Sequence, residues 1–212
     1  MIRPVRIGVL VSGNGTNLQA IIDRSEAGEL AAQVACVISN KAEAFALERA
    51  RRHGIPALHL DHRLYSHREA YDEALVATLA DHGVELVVLA GFMRIISPVL
   101  IDAFPNAIMN IHPALLPAFP GLNAQQQSLA YGVKVSGCTV HFVDAGCDTG
   151  PIIIQTVVPV LEGDTEETLS ARIHVEEHRS YPAAIQLFAE GRLRVEGRVV
   201  RILPAAASSA TA

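Results

Sequence analysis

Two polar side chains stand two residues apart in an otherwise apolar run, Asn110 and His112 in Asn110-Ile111-His112-Pro113. Ala107 to Ile111 reads as a buried strand. Side chains alternate along a strand, so the amide and the imidazole leave by one face and Ile111 by the other. At the carboxyl end of a parallel strand they would enter the crevice where doubly wound sheets bind ligands. An amide N–H beside an imidazole can stabilise an oxyanion and move a proton. A capped strand end with a structurally bonded histidine has the same sequence. Asp148, in Asp148-Thr149-Gly150-Pro151, is a carboxylate in a glycine-rich loop between two strands. Such a loop can deliver an acid to the point where His112 emerges, and there it would favour the imidazolium and raise its pKa. Alone, it also fits a turn-forming Asp.

A different chemistry is offered by Ser12-Gly13-Asn14-Gly15-Thr16-Asn17, between an apolar run and a helical pattern. Its glycines let a ligand approach the main chain, and the amides of Gly15, Thr16 and Asn17 would open a helix whose dipole favours an anion. The loop lacks the Lys of a nucleotide P-loop and the third glycine of a dinucleotide fingerprint. A ligand-free βα turn capped by Asn or Thr is the other reading. On a late helix, Leu169, Ile173, Glu177 and Tyr181 recur every four residues, which sets one carboxylate on an apolar stripe. An inward acid needs a partner, either a neighbouring Arg or a ligand amine or hydroxyl. Glu176 would point elsewhere, into solvent. His53, His59, His62, His67, His82 and His174 lack ligand spacing and read as surface or packing residues.

The elements that must position these groups alternate. Val5 to Val11, Val34 to Ile38, Pro56 to Leu60 and Leu86 to Ala90 read as strands. Between them lie helices carrying Leu18, Ile21 and Ile22, then Glu43 to Arg52, then Tyr71, Leu75, Val76 and Leu79. A βαβαβαβ order implies a doubly wound, mostly parallel α/β sheet of Rossmann-like type. After Ala107 to Ile111 come a proline-broken loop to Gly121 and a helix near Ala124 to Tyr131. Strands Cys138 to Val143 and Ile152 to Val158 follow, then a long helix capped near Thr165, and short strands Leu193 to Val195 and Val199 to Leu203. One domain, residues 1–203, is expected to have two lobes. Residues 1–104 would bind phosphate and 105–203 complete the catalytic site, with a disordered tail over 204–212.

The chain has 212 residues, 50% hydrophobic and 18% charged, a composition that buries a core unaided. A formal net charge of −5 argues against duplex nucleic acid as a partner, though not against one phosphate held by backbone amides. Cys36, Cys138 and Cys147 form no C-x-x-C pair, which suits reduced thiols and offers no zinc set. No export signal precedes Val5 and no apolar run reaches membrane-spanning length, so a cytoplasmic protein without metal or membrane partner is expected.

Taken in order, Ser12 to Asn17, Ser39-Asn40-Lys41-Ala42, Leu89 to Ile95, Asn110 to Pro117, Gly137 to Val143 and Asp148 to Ile152 resemble the glycinamide ribonucleotide formyltransferases, folate-dependent enzymes of purine synthesis. The resemblance spans Ile7 to about Arg194. It implies formyl transfer from 10-formyltetrahydrofolate to the amine of glycinamide ribonucleotide, with Asn110, His112 and Asp148 catalytic and no metal. It implies that Gly15, Thr16 and Asn17 hold the substrate phosphate, with Glu177 near its glycinamide or ribose end. It also implies that Arg68, Met93, Arg94, Ile95 and Ile96 line the folate site beside Asn110, with the loop Asp144 to Asp148 closing over the pterin. A monomer and a homodimer both remain open.

One stretch departs from the family. After Pro120-Gly121-Leu122 a histidine is usual, with another basic or imidazole side chain soon after; this chain has Asn123-Ala124-Gln125-Gln126-Gln127. Asn123 can hydrogen-bond but cannot carry a proton, which bears on acceptor affinity and pH dependence rather than on reaction class.

Among relatives of this lobe, methionyl-tRNA formyltransferase adds a C-terminal domain and formyltetrahydrofolate deformylase an N-terminal one; sugar-amine formyltransferases are a further reading. A dinucleotide-binding oxidoreductase is disfavoured by the absent G-x-G-x-x-G and by Ser39-Asn40 where an acidic residue should end the second strand. A non-catalytic folate- or nucleotide-binding module has only Asn123 in its favour.

Overall fold

A computed structural model describes residues 3–205 of the chain. Its elements run β1 (Val5–Val11), α1 (Thr16–Glu26), β2 (Ala32–Ser39), α2 (Phe45–Arg52), β3 (Ala57–His59), a 3₁₀ turn (His62–Leu64), α3 (Arg68–Asp81) and β4 (Leu86–Leu89). There follow α4 (Pro98–Ala103), β5 (Ile108–His112), α5 (Ala124–Tyr131), β6 (Val135–Phe142), β7 (Ile152–Pro159), α6 (Glu166–Ala189), β8 (Leu193–Glu196) and β9 (Val199–Ile202). One sheet takes the order β3-β2-β1-β4-β5-β6-β7-β9-β8.

The first five strands pair in parallel, because each connection between them carries a crossover helix. β5–β6, β6–β7 and β8–β9 are antiparallel, and β7–β9 is a parallel contact at Ile152 and Val199. Period-two alternation divides the core between two faces. Ile7, Val9, Val11, Leu86 and Val88 meet α1, α2 and α6 through Leu18, Ile21, Leu47, Leu169 and Ile173. Leu10, Val87 and Leu89 meet α3 and α4 through Leu75, Leu79 and Leu100. Each such side chain stabilises the fold by about 1.5–3 kcal/mol on leaving water.

The strand order reverses between β1 and β4, so the connections leaving their carboxyl ends diverge and open a cleft there. Under it runs α6, started by a reciprocal cap. Thr165 Oγ1 accepts from Thr168 N at 3.3 Å while Thr165 N donates to Thr168 Oγ1 at 2.9 Å. The wholly buried Tyr181 of α6 sets its hydroxyl 3.0 Å from Leu89 O and 2.8 Å from Met109 O. One phenol thus serves two carbonyls of adjacent parallel strands, directly beneath the cleft.

Three features differ from the sequence reading. α4 was not expected; it is a single short turn-and-a-half begun by Pro98, too brief to show a period. The second helix begins at Phe45 rather than Glu43. His112 is the last residue of β5, paired with Thr139, rather than the first of the loop. Of the expected disordered tail, Pro204 and Ala205 carry no regular structure, and residues 206–212 lie outside the described residues.

Replacing Tyr181 by Phe removes one donor and leaves two carbonyls in a dry interior. Denaturant unfolding of Tyr181→Phe is expected to show a loss of about 1–3 kcal/mol; an unchanged midpoint and slope would mean that the bridge contributes nothing to the strand ends.

Candidate active site

A cleft of about 980 Å³ lies over the carboxyl ends of β1, β4 and β5. At one end of it, three segments remote in sequence meet on a single carboxylate. Asp148 takes a left-handed backbone, φ +55°, in the β6–β7 loop. That loop is pressed against β6 at Gly150, where a Cβ would stand 1.8 Å from Phe142 O, so only glycine lets the turn pass. Asp148 Oδ2 accepts from Gly121 N at 2.8 Å and lies 3.3 Å from His112 Nδ1. Asp148 Oδ1 lies 3.4 Å from Asn110 Nδ2 and 3.7 Å from His141 Nε2. Burial alone would raise this carboxyl, but the neighbouring His141, the Gly121 N–H and the nearby His112 outweigh it and hold the acid down at about 2.

Asn110 and His112 leave β5 on the same face, as the alternation requires. His112 Nε2 donates to Phe119 O at 2.8 Å, which folds the proline loop back over the ring. Thr139 pins the same loop, donating to Ala114 O at 2.6 Å and accepting from Leu116 N at 3.0 Å. Both nitrogens of His112 therefore face oxygens, an arrangement that suits the imidazolium. The expected upward shift is nevertheless corrected by the structure. With His112 only 4% exposed, desolvation exceeds the pull of Asp148 and the group titrates below the usual value near 6.5. At neutral pH the ring is an uncharged base held against an ionised acid.

His141 is a site residue that the sequence reading did not single out. Its Nδ1 donates to Phe142 O at 2.7 Å, which leaves Nε2 to accept from Asn110 Nδ2 at 3.3 Å. Buried in β6, it holds the amide of Asn110, whose two N–H groups point to His141 Nε2 and Asp148 Oδ1. Its register opposite Asn110 was the available signal, but it depends on an antiparallel β5–β6 pairing that no local pattern announced.

The opposite end is built by α1. Gly15 caps the helix with φ +76° and supplies no side-chain acceptor, so the amides of the first turn open toward the cleft lined by Gly15, Thr16 and Asn17. A Cβ at Gly15 would stand 2.6 Å from Ala46 Cβ. Arg49 grips the loop through Asn14 O at 2.9 Å and Asn14 Oδ1 at 2.8 Å. Glu177 sits at the cleft floor, 4% exposed, and accepts from Asn17 Nδ2 at 2.9 Å. Its other neighbour is His174 Nε2 at 4.0 Å, so the Arg partner considered from the sequence is replaced by an amide and an imidazole. Burial raises the Glu177 carboxyl against both. Asn17 Oδ1 is buried with no partner among the described residues, on a residue that lines the cleft. His174, read as a surface or packing residue, lines the cleft. Glu176 pairs with Arg179 at 3.0 Å and takes no part.

Between the two ends runs the segment after β4. Met93, Arg94, Ile95 and Ile96 line the cleft, as do Asp144 and Asn123. Met93 and Ile95 are 62% and 61% exposed, unusual for apolar side chains on a concave wall. Arg68 is different. It begins α3, pairs with Glu69 at 3.4 Å and does not reach the cleft lining. Among the described residues no group of three or more His, Cys, Asp or Glu could hold a metal ion, and no helix is long and apolar enough to cross a membrane.

Comparison with known proteins places the chain in a family. The chain is 46% identical over 191 residues to a phosphoribosylglycinamide formyltransferase of Escherichia coli (strain K12), covering 90% of this chain and 90% of the relative. It is 49% identical to the trifunctional purine biosynthetic protein adenosine-3 of Drosophila pseudoobscura pseudoobscura over 94% of this chain. The chain spans only 14% to 20% of the length of such trifunctional relatives. A solved glycinamide ribonucleotide transformylase 1 from Symbiobacterium toebii superimposes with a TM-score of 0.95 at 61% identity, covering 96% of each chain. The formyl transferase family pattern matches residues 5–185, and the chain belongs to that family.

Proposed function

We propose that this chain transfers the formyl group of 10-formyltetrahydrofolate to the amine of glycinamide ribonucleotide, giving formylglycinamide ribonucleotide and tetrahydrofolate, as a cytoplasmic step of purine synthesis. The observation that carries the reading is the convergence of Asn110, His112 and Asp148 within 3.4 Å at one end of a cleft whose other end is the open first turn of α1. The similarity to enzymes named for this reaction supports it. The two halves of the chain divide the work: residues 1–104 supply the phosphate loop and the folate wall, and 105–203 the acyl-transfer chemistry.

The acceptor's phosphate is held by the amides of Gly15, Thr16 and Asn17, where the α1 dipole favours an anion. Its amine or ribose hydroxyls lie toward Glu177 and the unpartnered Asn17 Oδ1. The reduced folate covers Met93, Ile95 and Ile96, with Arg94 toward its anionic tail and the loop from Asp144 to Asp148 over its pterin. Arg68 can join that site only if the side chain swings away from Glu69.

The neutral amine attacks the formyl carbon on N10, the carbon–nitrogen bond forms, and negative charge develops on the formyl oxygen. Asn110 Nδ2 turns one of its N–H groups from its long bond to Asp148 or His141 to that oxygen; losing one such donor costs about 3–4 kcal/mol of barrier. The attacking nitrogen must lose a proton and N10 must gain one. Neutral His112 accepts it, and the growing oxyanion together with ionised Asp148 raises the imidazole's proton affinity as the charge appears. Cleavage of the carbon–N10 bond returns the proton to the departing nitrogen, and no covalent enzyme intermediate is needed.

Transfer of a 13C-labelled formyl group to glycinamide ribonucleotide tests the reaction directly. Label in the ribonucleotide is expected; deformylation independent of the ribonucleotide would make the protein a hydrolase, and no turnover would make it a binding module. Asp148→Asn is expected to lower kcat by about 100-fold or more while ribonucleotide binding, measured by calorimetry, stays nearly intact. The pH profile follows from the lowered His112: kcat/KM should rise through a pKa below 6.5, because the neutral ring is the active form, and in Asp148→Asn this limb should move to lower pH. A limb that stays in place would remove Asp148 from control of the imidazole. At the phosphate end, Gly15→Ala combines strain with a clash and is expected to raise the acceptor KM by about tenfold or more, with the folate KM nearly unchanged.

A further inference from the structure

α3 is absent from the cleft lining, yet it holds the cleft's folate wall from behind. The Arg94 guanidinium lies 5.2 Å from the centroid of the Tyr71 ring. Among the described residues Arg94 forms no ion pair, and the ring is the contact its guanidinium makes. Tyr71 is 1% exposed, and its ring is fixed by edge contacts with Tyr65 at 5.5 Å and His62 at 6.3 Å. Its hydroxyl is buried without a hydrogen-bond partner. The next residue, the buried Asp72, accepts a hydrogen bond from Ser97 N, and Ser12 Oγ accepts from Met93 N at 2.9 Å. The segment 93–97 is thereby tied at both backbone ends and, in the middle, through one side chain resting on an aromatic face.

We propose that Tyr71 is a positioning residue for the formyl donor: its ring, not its hydroxyl, holds Arg94 with the guanidinium facing the cleft, ready for the donor's carboxylates. The inference rests on the folate reading of this wall. An arginine has several flexible side-chain torsions, and a free one would sample many directions before meeting a carboxylate. A guanidinium held over a ring face keeps its outward N–H groups available while losing that freedom in advance. An orphaned phenol in a dry interior is otherwise costly, which Phe would avoid. The Tyr71 ring therefore accounts for the position of Arg94, and the hydroxyl accounts for nothing on the protein side.

Steady-state kinetics with 10-formyltetrahydrofolate and calorimetry with N-(p-aminobenzoyl)glutamate, which carries the same carboxylates without the formyl group, test this together. Tyr71→Leu is expected to raise the donor KM and the fragment Kd by about fivefold to tenfold, with kcat and acceptor KM within about twofold of wild type. Tyr71→Phe should match wild type. Arg94→Met should weaken donor binding, and adding Tyr71→Leu to it should cost nothing more. Should Tyr71→Leu fail to fold, Arg94→Lys carries the test, because an ammonium keeps the charge but loses the broad, forked guanidinium that the ring holds; it should show the same rise. Additive losses in the double variant, a Tyr71→Phe defect equal to that of Tyr71→Leu, a wild-type Arg94→Lys, or equal damage to kcat and both KM values would each overturn the proposal. Fragment binding without formyl transfer by the wild-type chain would instead remove the formyl-transfer reading and leave the role of Tyr71 standing; a wild-type chain that binds neither ligand overturns both.

Discussion

The site depends on one ionised carboxylate kept in a place that would rather have it neutral. Asp148 is almost closed off from water, on a residue whose backbone is left-handed, and burial acts against its charge. Four groups from three other segments offset this: the Gly121 amide, the Asn110 amide, and the rings of His112 and His141. Removing the charge would leave the proline loop without its anchor to the β6–β7 loop, and β5 without the group that its two polar side chains face. The catalytic arrangement and the closure of this end of the cleft are thus a single electrostatic fact.

The rest of the molecule can be understood as what holds that carboxylate still. The sheet reverses its winding between β1 and β4, so the carboxyl ends there open to a cleft rather than to a covering helix. Beneath them Tyr181 binds the last carbonyl of β4 and the Met109 carbonyl of β5, which fixes the spacing from which Asn110 and His112 project. The antiparallel β6 then returns beside β5 and brings His141 opposite Asn110. A wholly parallel sheet would not place His141 there, since parallel neighbours need a crossover between them.

Much of the fold could be read from the chain because local signals agreed with the global answer. Val5–Val11 and Leu86–Leu89 are continuous apolar runs, as strands covered on both faces must be. The Glu177 carboxylate stood out as an acid on an apolar stripe, and the site does bury it. What could not be read depends on tertiary pairing. His141 looks like any polar residue in a strand until β6 lies beside β5. The partner of Glu177 is Asn17, 160 residues away, and nothing local pointed to it. The lowered titration of His112 was missed for a similar reason. Proximity to Asp148 could be guessed from the loop, but the degree of burial that outweighs it is set by Phe119 and the folded proline loop. Arg68 was assigned by resemblance alone, and the side chain lies outside the cleft lining.

The central physical claim is that His112 is a buried, neutral base with its proton on Nε2, held by Phe119 O beside an ionised Asp148. Heteronuclear NMR of the 15N-labelled imidazole, titrated with pH in the ligand-free protein, measures this most directly. The account predicts an Nε2–H tautomer at neutral pH and a His112 pKa below 6.5. An Nδ1–H tautomer, or a ring still protonated well above that value, would contradict it.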